Sequence, residues 1–358
     1  MEIKKQLLSP DKLKPLFEDP MTLEFGKTFT DHMFTMRYGP DTGWKDPEIK
    51  PYQPLLLDPA TVVFHYSQQV FEGQKAYWSP NGEILLFRPR ENARRINRSA
   101  ARMSIPEIPE DTFLEAECEL LKVEKRWIPK LKGTSLYVRP VVIATEALLG
   151  AVRPSDSYLF FIILSPVGPF YKEGFNPVRL LVEKGLSRAA SGGTGEAKTA
   201  GNYAGTIVAT QIAKDKGFSQ VLWLDAKERR YVEEVGTNNI FFVLDDTLVT
   251  PPLAGTILPG ITRKSVLEMA GDLGIQAEER PISIDEVVEG IESGRTTEIF
   301  GAGTAAVISP VGRINYDGKE YVINKNETGP WTKKFFDTLT GIQYGEVEDK
   351  HGWVHRVS

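Results

Sequence analysis

The chain has 358 residues, 41% of them hydrophobic and 25% charged, with a formal net charge of −5 at pH 7. This composition is that of an ordinary globular protein, and the mild acidity argues against nucleic acid or an anionic membrane surface as the partner. At this length we expect two domains, or one large domain with additions.

The N-terminal stretch, MEIKKQLLSPDKLKPLFEDP, lacks the features of a targeting segment. It contains no continuous apolar run, and it carries prolines and acids that such segments avoid. The longest strongly apolar run, LFFIIL at 159–164, is far shorter than the roughly 20 residues that cross a bilayer. Cys118 is the only cysteine and the four histidines are scattered, so neither a disulfide nor a zinc site is expected. The sequence therefore predicts a cytoplasmic protein without a metal.

Runs of β-branched and aromatic residues dominate the first half of the chain, and two helical patterns interrupt them. In the second helical pattern Leu114, Cys118 and Leu121 recur at helical spacing, so we expect Cys118 to pack in a helix face. The predicted strands are 61–64, 83–87, 135–138, 141–143 and 158–164, and the predicted helices are 91–103 and 112–127.

Residues 165–177, SPVGPFYKEGFNP, have the composition of a linker or a mobile cover. We therefore predict a small N-terminal domain over 1–164 and a large C-terminal domain over 178–358. Strands and helices do not alternate regularly, so the predicted fold class is α+β rather than a doubly wound parallel sheet. The predicted C-terminal strands are 178–182, 220–224, 240–244 and 297–300, and the predicted helices are 204–216, 262–273 and 284–291.

A run of small residues at 191–204, SGGTGEAKTAGNYA, surrounds Lys198. Three interpretations stay open on these residues alone. Lys198 is a surface lysine in a flexible turn, or it belongs to a phosphate-binding loop, from whose pattern the run departs at Ala197. In the third interpretation it is an imine-forming amine, set among small residues that let a flat cofactor approach. The residues before the run are too polar for the buried strand that a phosphate-binding loop requires.

Several further motifs occur in one order along the chain. Together they resemble the class IV aminotransferases, which use pyridoxal 5'-phosphate, and within that class the longer form of the branched-chain amino acid aminotransferases. The resemblance runs from Leu23 to near the C terminus. The motifs are FGKTFTDHM at 25–33, FHYSQQVFEG at 64–73, FRPRENARRI at 87–96, TSLYVRP at 134–140, KTAGNY at 198–203, QVLWL at 220–224, EEVGTNN at 233–239, LPGITR at 258–263 and GAGTA at 301–305.

The resemblance implies a fold-type IV enzyme of two α/β domains, with a cofactor-binding C-terminal domain and the active site between the two. Lys198 matches the catalytic lysine, which holds the cofactor aldehyde as a Schiff base and moves a proton during the reaction. Glu234 matches the carboxylate that pairs with the pyridine nitrogen, whereas its neighbour Glu233 is interpreted as a surface acid. Tyr203 matches the residue that hydrogen-bonds the ring hydroxyl.

The resemblance assigns the cofactor phosphate to residues elsewhere in the chain. Among the clustered arginines that begin at FRPR, only Arg95 matches the family's phosphate-binding arginine, and the others are interpreted as a solvated helix face. The N–H groups of Ile261 and Thr262 are expected at the start of a helix, where the helix dipole favours an anion. Thr304 would add a hydroxyl, and Thr237 completes the implied cofactor residues.

The substrate is assigned, by the same resemblance, to an apolar pocket that admits L-leucine, L-isoleucine or L-valine. One methylene in such a pocket is worth only about 1–3 kcal/mol, so use of all three is expected. Arg139, with Tyr66, matches the residues that receive the distal carboxylate of glutamate. The N–H groups of Thr304 and Ala305 match those that bind the α-carboxylate. The pocket residues are Phe25, Tyr66, Phe71 and Tyr137.

The implied activity is reversible transfer of the amino group of these amino acids to 2-oxoglutarate, by a ping-pong cycle in a homodimer. Alternatives of the same fold are a D-amino acid aminotransferase and an aminodeoxychorismate lyase. An alternative from another class is a phosphate-loop NTPase or kinase.

The chain departs from the animal members of the family at two places. They carry a Cys-x-x-Cys after the motif at 301–305, where this chain has no cysteine, so thiol-based regulation is not expected. Asn238 stands where methionine is more usual, a change that we expect to alter local packing beside Thr237.

Overall fold

The computed structural model of the chain describes residues 1–150, 152–169 and 175–357. The chain divides into two units. Unit 1 takes in residues 1–170, 197–200 and 341–358, and unit 2 takes in residues 171–196 and 201–340.

Helices and strands occur in both units. The helices are α1 (Val62–Tyr66), α2 (Pro89–Arg102), α3 (Glu110–Val123), α4 (Ala200–Ala204), α5 (Ile207–Asp215), α6 (Ile261–Leu273), α7 (Ile284–Ser293) and α8 (Pro330–Tyr344). The strands up to residue 183 are β1 (Lys4–Lys5), β2 (His32–Gly39), β3 (Gly43–Pro51), β4 (Gln69–Phe71), β5 (Gln74–Trp78), β6 (Ile84–Phe87), β7 (Ser135–Ala144), β8 (Tyr158–Val167) and β9 (Val178–Glu183). The later strands are β10 (Gln220–Leu224), β11 (Val232–Val235), β12 (Asn238–Leu244), β13 (Thr247–Thr250), β14 (Gln276–Glu279), β15 (Thr296–Gly303), β16 (Val307–Tyr316), β17 (Lys319–Val322) and β18 (Val354–Val357).

The two units differ from the predicted domains in two segments. The prediction placed residues 197–200 and 341–358 in the C-terminal domain, whereas both belong to unit 1. Thr199 forms an isolated β-bridge with Val70, and β18 pairs with β6 in the sheet of unit 1. The predicted linker also begins too early, since β8 runs to Val167. Residues 170–174, where we predicted a mobile cover, lie outside the described residues.

The sheet of unit 1 runs in the order β1-β3-β2-β8-β7-β5-β6-β18, with β4 paired to β7. Helices α2 and α3 share the core of this unit with one face of β7, which contributes Leu136 and Val138. Because successive side chains of a strand point to opposite faces, Tyr137 and Arg139 lie on the other face. The register of this sheet therefore separates the core of unit 1 from a face that carries two predicted substrate residues.

β7 continues through Pro140, where we predicted two separate strands. On one side β7 pairs with β5 up to Val138 and with β4 from Val141 onward, so Pro140 falls where one neighbouring strand gives way to the other. A proline without an N–H is tolerated at such a gap. The Pro140 carbonyl still accepts the N–H of Glu72 at 2.8 Å.

The sheet of unit 2 runs in the order β11-β10-β9-β16-β15-β12-β13-β14, with β17 paired to β16. β11 pairs with β12 as well as with β10, and this second pairing closes β11, β10, β9, β16, β15 and β12 into a ring. Parallel and antiparallel pairs occur together, β9 with β10 being parallel and β12 with β15 antiparallel. The predicted α+β fold class is confirmed.

Two predicted elements in or near the motifs were wrong. Residues 62–64 form the start of α1 rather than a strand, and Thr61 forms only an isolated β-bridge with Ala147. The apolar run is too short for its periodicity to separate helix from strand, and the N–H of Val62 bonds to the distant carbonyl of Glu146 at 2.9 Å. The predicted helix at 204–216 is two helices, α4 and α5, because Gly205 and Thr206 turn the chain between them.

Helix α8 was not predicted, and its start depends on a side chain from another element. The N–H groups of Trp331 and Thr332 donate to the carboxylate of Glu298 at 2.9 and 2.7 Å. Glu298 belongs to β15, so this helix cap is tertiary and leaves no signature in the sequence beside Pro330.

Cys118 lies on α3 as predicted, half-buried, with its sulfur 3.5 Å from Nε2 of His355. Burial raises the pKa of its thiol to about 12. Since the thiolate is the reactive form, Cys118 is a poor nucleophile near neutral pH. Across the described ranges, which omit 151, 170–174 and 358, no helix has the length and apolarity needed to span a membrane.

Glu117, the neighbour of Cys118, is fully buried in unit 1. Burial raises the pKa of its carboxyl well above the ordinary value, although the Gln74 amide donates a hydrogen bond to Oε1. Oε2 has no hydrogen-bond partner among the described residues. In the folded chain Glu117 is therefore a neutral carboxylic acid under conditions in which an exposed glutamate is ionised.

Replacing Glu117 by glutamine is expected to raise the free energy of unfolding at neutral pH and to change it little at about pH 4. The unfolded chain loses the Glu117 proton at a lower pH than the folded chain does. Stability therefore falls by about 1.4 kcal/mol per pH unit between the two pKa values. Glutamine stays neutral and removes this loss. Urea unfolding of both proteins at acidic and neutral pH measures the difference.

Glu119→Gln is the matched control for this prediction. Hydrogen bonds from Lys122 and Lys5 hold the pKa of Glu119 below its ordinary value. Its contribution to stability is therefore present above the ordinary carboxyl pKa and is lost as the pH falls. Glu119→Gln should therefore lower stability at neutral pH. If Glu117→Gln stabilised the protein equally at acidic and neutral pH, the prediction for Glu117 would be contradicted.

Candidate functional site

Lys198 lies in a short segment of unit 1 that main-chain contacts hold on both sides. Its N–H donates to the Ser99 hydroxyl at 2.9 Å, and its carbonyl accepts the N–H of Phe71 at 3.0 Å. The hydroxyl of the next residue, Thr199, donates to the Gln69 carbonyl at 2.7 Å. The half-buried side chain of Lys198 therefore starts from a fixed backbone position.

The ring of Phe71 is in contact with two cations. Nζ of Lys198 lies 5.0 Å from the ring centroid, and the guanidinium carbon of Arg139 lies 4.8 Å from it. Nη2 of Arg139 also donates to the Tyr137 hydroxyl at 3.0 Å, and Phe25 packs edge-on against Tyr137 with 4.7 Å between ring centroids. Unit 1 thus brings the predicted catalytic lysine together with four predicted substrate residues.

Arg139 also has a donor that the described residues leave unused. Its Nε is buried and has no hydrogen-bond partner among them. An unsatisfied buried donor is unfavourable by about 1–3 kcal/mol. Hydrogen bonds from a guanidinium to a carboxylate are among the strongest in proteins. The site is therefore short of one acceptor, and a carboxylate would supply it.

Tyr66 is placed differently from the other predicted pocket residues. It ends α1 and remains 36% exposed. Its hydroxyl accepts the N–H of Gly150 at 3.1 Å, so the segment that follows β7 holds it. The joint role of Tyr66 and Arg139 stays a prediction.

Arg95 is buried on α2 and forms a two-point pair with the buried carboxylate of Glu72. Nε donates to Oε1 at 2.7 Å and Nη2 donates to Oε2 at 2.8 Å. Burial by itself would raise the pKa of Glu72, but Arg95, with smaller effects from Lys198 and Asn92, holds that pKa below its ordinary value. This two-point pair fixes the plane of the Arg95 guanidinium within unit 1.

In unit 2, the buried carboxylate of Glu234 on β11 is contacted from two sides. Oε1 accepts a hydrogen bond from the Asn239 amide at 3.1 Å, and Oε2 lies 2.6 Å from Nε of Arg188. Glu233 points to the opposite face, where it accepts the Thr256 hydroxyl at 2.5 Å. Glu233 is only 7% exposed, so its interpretation as a surface acid was wrong.

Helix α6 begins at Ile261, within one residue of its predicted start. Its cap residue, Gly260, offers no side chain to the first N–H groups, which makes them available to an anion. Thr262 is buried in the same first turn. A Cβ at position 260 would lie 1.9 Å from Oδ1 of Asn239, so the residue that holds Glu234 also requires a glycine at the helix start.

Thr304 and Ala305 lie half-buried in the tight turn between β15 and β16. The turn ends at Val307, whose φ of 63° is unfavourable for a β-branched residue and is imposed by the surrounding structure. A Cβ at Gly303 would lie 2.0 Å from Oδ1 of Asn238. Asn238, where this chain departs from the family, therefore packs directly against this turn.

Tyr203 and Thr237 are the remaining predicted cofactor residues of unit 2. Tyr203 lies half-buried on α4, and Thr237 is exposed in the turn between β11 and β12. Beside Tyr203, the Asn202 amide donates to the Thr194 carbonyl at 2.7 Å and accepts the Thr194 hydroxyl at 2.6 Å. These bonds attach the glycine-rich run to α4.

Sequence reasoning left four site residues unassigned. Glu72 and Gly73 stand inside the motif at 64–73, which could have singled them out. Lys75 faces Tyr137 across β5 and β7, and burial lowers its pKa to about 8. Arg188 has no local signature, because its partner Glu234 lies in a different element.

Replacing Gly73 by alanine is expected to lower kcat/KM for the implied transamination of L-leucine by about tenfold or more. An added Cβ would lie 1.9 Å from the Tyr137 hydroxyl oxygen and 2.8 Å from Cζ. Tyr137 must move, and Arg139, which donates to it, moves with it. Overpacking of this kind typically costs about 1–3 kcal/mol. Steady-state kinetics with L-leucine measure the loss.

Gly271→Ala is the matched control. Among the described residues, no atom outside the adjoining backbone of α6 lies within 4 Å of a Cβ at this position. Alanine inside a helix is favoured over glycine by about 1 kcal/mol, so this variant should keep its activity and unfold at an equal or higher temperature. Wild-type kinetics in Gly73→Ala would show that Tyr137 has more freedom than its contacts indicate.

Known proteins resemble the chain over most of its length. Residues 69–314 match the family model Amino-transferase class IV. The chain is 53% identical over 356 residues to branched-chain-amino-acid aminotransferase 2 of Bacillus subtilis (strain 168), covering 99% of this chain and 97% of that one. The solved branched-chain aminotransferase of Thermoproteus uzoniensis with norvaline superposes with a TM-score of 0.76 at 27% identity, covering 91% of this chain and all of that one. The branched-chain amino acid aminotransferase from Escherichia coli superposes with a TM-score of 0.74 at 27% identity, covering 92% of this chain and 99% of that one.

Proposed function

The chain belongs to the amino-transferase class IV family, and from this premise we propose that it transfers the amino group of L-leucine, L-isoleucine or L-valine to 2-oxoglutarate. The products are the branched 2-oxo acid and L-glutamate, and the reaction is reversible. Its cofactor is pyridoxal 5'-phosphate. The near full-length identity of 53% to a branched-chain-amino-acid aminotransferase supports this assignment.

The observation that carries the substrate assignment is the pair of cations over Phe71. The amine of Lys198 and the guanidinium of Arg139 lie 5.0 and 4.8 Å from the same ring centroid. An aromatic surface beside the reactive amine suits a branched apolar side chain. Arg139, with its unsatisfied Nε, suits the distal carboxylate of glutamate. One group of residues can thus serve both half-reactions.

Each unit, taken by itself, has residues of the kinds that pyridoxal phosphate needs. In unit 1, Lys198 has the amine that would hold the aldehyde, and Arg95 has the guanidinium that would bind a phosphate. In unit 2, Glu234 has the buried carboxylate that would pair with a ring nitrogen, and α6 begins without a side-chain cap, where a phosphate would bind. A Cβ at Gly260 would clash with the amide of Asn239, so no residue with a side chain fits at that helix start.

When bound, the cofactor supplies an aldehyde for the amino group and a ring that accepts the electron pair released at the substrate Cα. Nζ of Lys198 takes up the Cα proton and returns it. The Glu234 carboxylate would keep a proton at the ring nitrogen, and Tyr203 would hydrogen-bond the ring hydroxyl. The N–H groups of Ile261 and Thr262 and the Thr304 hydroxyl would hold the phosphate.

Binding of the α-carboxylate is assigned to the N–H groups of Thr304 and Ala305. These residues lie in a turn that ends with the strained backbone of Val307, so the two N–H groups are held rather than mobile. Phe25, Tyr66, Phe71 and Tyr137 line the side-chain pocket. Thr237 remains assigned to the cofactor.

A homodimer in the cytoplasm is also proposed. In unit 1, Phe64 of α1 and Leu149 and Val152 of the segment bonded to it are 57–89% exposed. In unit 2, Ile207 and Val208 of α5 are 65% and 61% exposed. Exposed apolar side chains grouped in this way favour association with a second copy. Light scattering should give about twice the chain mass of 40.0 kDa, and a monomer would contradict the dimer.

The reaction is tested with the wild-type enzyme by measuring L-glutamate formed from L-leucine, L-isoleucine or L-valine with 2-oxoglutarate. Parallel double-reciprocal lines are expected for the ping-pong cycle. Preference for D-alanine, or release of product from aminodeoxychorismate, would favour the alternatives of the same fold. Colourless protein that binds ATP with magnesium would overturn the assignment in favour of a phosphate-loop enzyme.

A further inference from the structure

Arg188 is a buried cation of unit 2 that the predicted cofactor residues do not include. Only 7% of its side chain is exposed, and its Nε lies 2.6 Å from Oε2 of Glu234, whose side chain is 4% exposed. The N–H at Nε is not aligned with an acceptor in the described residues. The contact with Glu234 is therefore one of opposite charges, while the hydrogen bonds of Arg188 come from Nη2.

Nη2 of Arg188 binds the main chain of two loops. It donates to the Gly195 carbonyl at 3.3 Å and to the Thr256 carbonyl. The first loop leads along the chain to Lys198, and the second leads to the start of α6. The loops approach so closely that a Cβ at Gly195 would lie 2.4 Å from the Thr256 oxygen. One guanidinium thus connects β11 with both loops.

Arg188 places an opposite charge beside the buried carboxylate of Glu234. A nearby opposite charge favours the ionised form of an acid, and removing one partner of a buried pair leaves the other charge uncompensated. Arg188 lies at Oε2 and Asn239 at Oε1. A carboxylate oxygen can accept more than one hydrogen bond. Glu234 can therefore stay ionised and still accept a hydrogen bond from a protonated ring nitrogen.

We propose that Arg188 is a positioning residue for the cofactor: it keeps Glu234 ionised and oriented towards the ring nitrogen, and it ties the loops before Lys198 and before α6 to that carboxylate. The inference rests on the proposed function, since it concerns the pyridoxal phosphate site. Arg188 acts through Glu234 and the two loops and has no assigned contact with the substrate. Without it, Glu234 would compete with the ring nitrogen for the proton.

The test is a double-mutant cycle read out by cofactor binding. Apoprotein of the wild type, Arg188→Met, Glu234→Gln and the double variant is titrated with pyridoxal phosphate, and the dissociation constant is read from the visible absorption band. Partners that orient a ligating group contribute about 10- to 100-fold to affinity at metal sites, and a loss of that size is expected for Arg188→Met. In the Glu234→Gln background, the loss of affinity that Arg188→Met causes should be smaller by a factor of at least about ten. Arg313→Met, a half-buried arginine of β16 paired with Glu320 at 2.7 Å, is the control and should bind as the wild type.

Near-wild-type affinity of Arg188→Met, or equal losses in both backgrounds, would overturn the inference. Circular dichroism of the apoproteins reports folding separately. If Arg188→Met does not fold, the same titration is carried out with Arg188→Lys. Lysine keeps the charge but carries it on a single nitrogen, which does not reproduce the separate contacts of Nε and Nη2. A folded variant with weakened binding therefore supports the inference, and wild-type binding overturns it. Failure of both variants to fold would also overturn it, because Arg188 would then be structural.

The wild-type protein separates this inference from the proposed function. If the wild type neither binds pyridoxal phosphate nor converts L-leucine, the proposed function fails whatever the variants do. If the wild type does both and the cycle shows no coupling, only the role of Arg188 fails.

Discussion

Lys198→Ala is expected to lower kcat for transamination of L-leucine by at least about 10⁴-fold. Proton transfer by a positioned side chain contributes about 10²–10⁴-fold by itself. Lys198 also provides the covalent attachment, so its loss falls at or beyond the upper end of that range. The segment that carries it is fixed by the bonds to Ser99 and Phe71 at 2.9 and 3.0 Å, so the backbone should survive the change.

Borohydride reduction followed by peptide mapping checks the attachment directly. A pyridoxyl group is expected on Lys198 of the wild type and on no peptide of the variant. Lys184→Ala is the control, since Lys184 forms a surface ion pair with Asp317 at 2.8 Å and such pairs contribute little to stability. A pyridoxyl group on another lysine of the wild type, or full activity of Lys198→Ala, would refute the assignment.

Arg139→Met is expected to separate the two half-reactions. A hydrogen bond to a charged group is worth about 1.5–3 kcal/mol, so kcat/KM for L-glutamate should fall about 10- to 100-fold. L-Leucine has no distal carboxylate, and its kcat/KM should change by less than about threefold. Rapid-mixing measurement of each half-reaction gives the two constants separately.

Arg37→Met is the matched control, because Arg37 is an exposed arginine of β2 in the same unit. It should leave both constants unchanged. Equal losses for L-glutamate and L-leucine in Arg139→Met would show that Arg139 supports the position of Tyr137 and Phe71 rather than binding a carboxylate.

Local patterns predicted several elements close to where they lie. The helix opening at LPGITR begins at Ile261, one residue before its predicted start, because the proline and glycine that precede it end the extended chain. The strand predicted at 220–224 is β10 with the same bounds, since a short apolar run between polar turns is a strong local signal. Strands β2, β3 and β16 and helix α8 were missed, because their polar residues or their tertiary caps hide the periodicity.

For the site residues as well, the motifs predicted some features and the tertiary structure added others. The resemblance of the motifs to the family singled out Lys198, Arg95 and Glu234. The motifs did not show that Glu233, beside Glu234, is buried too, because only the pairing of β11 with β10 and β12 determines what each face of that strand meets.

The sequence by itself determined the family and predicted the catalytic lysine and the cofactor residues, because a family's motifs are residue types in a fixed order along the chain. Only the tertiary structure decided that residues 197–200 pack with unit 1, that Tyr137 requires a glycine at position 73, and that Arg188 supports Glu234. These relations join residues from separate elements through sheet register and burial. A short stretch of sequence specifies neither the sheet register nor the burial of its residues. For this reason the glycine-rich run around Lys198, taken alone, allowed three interpretations.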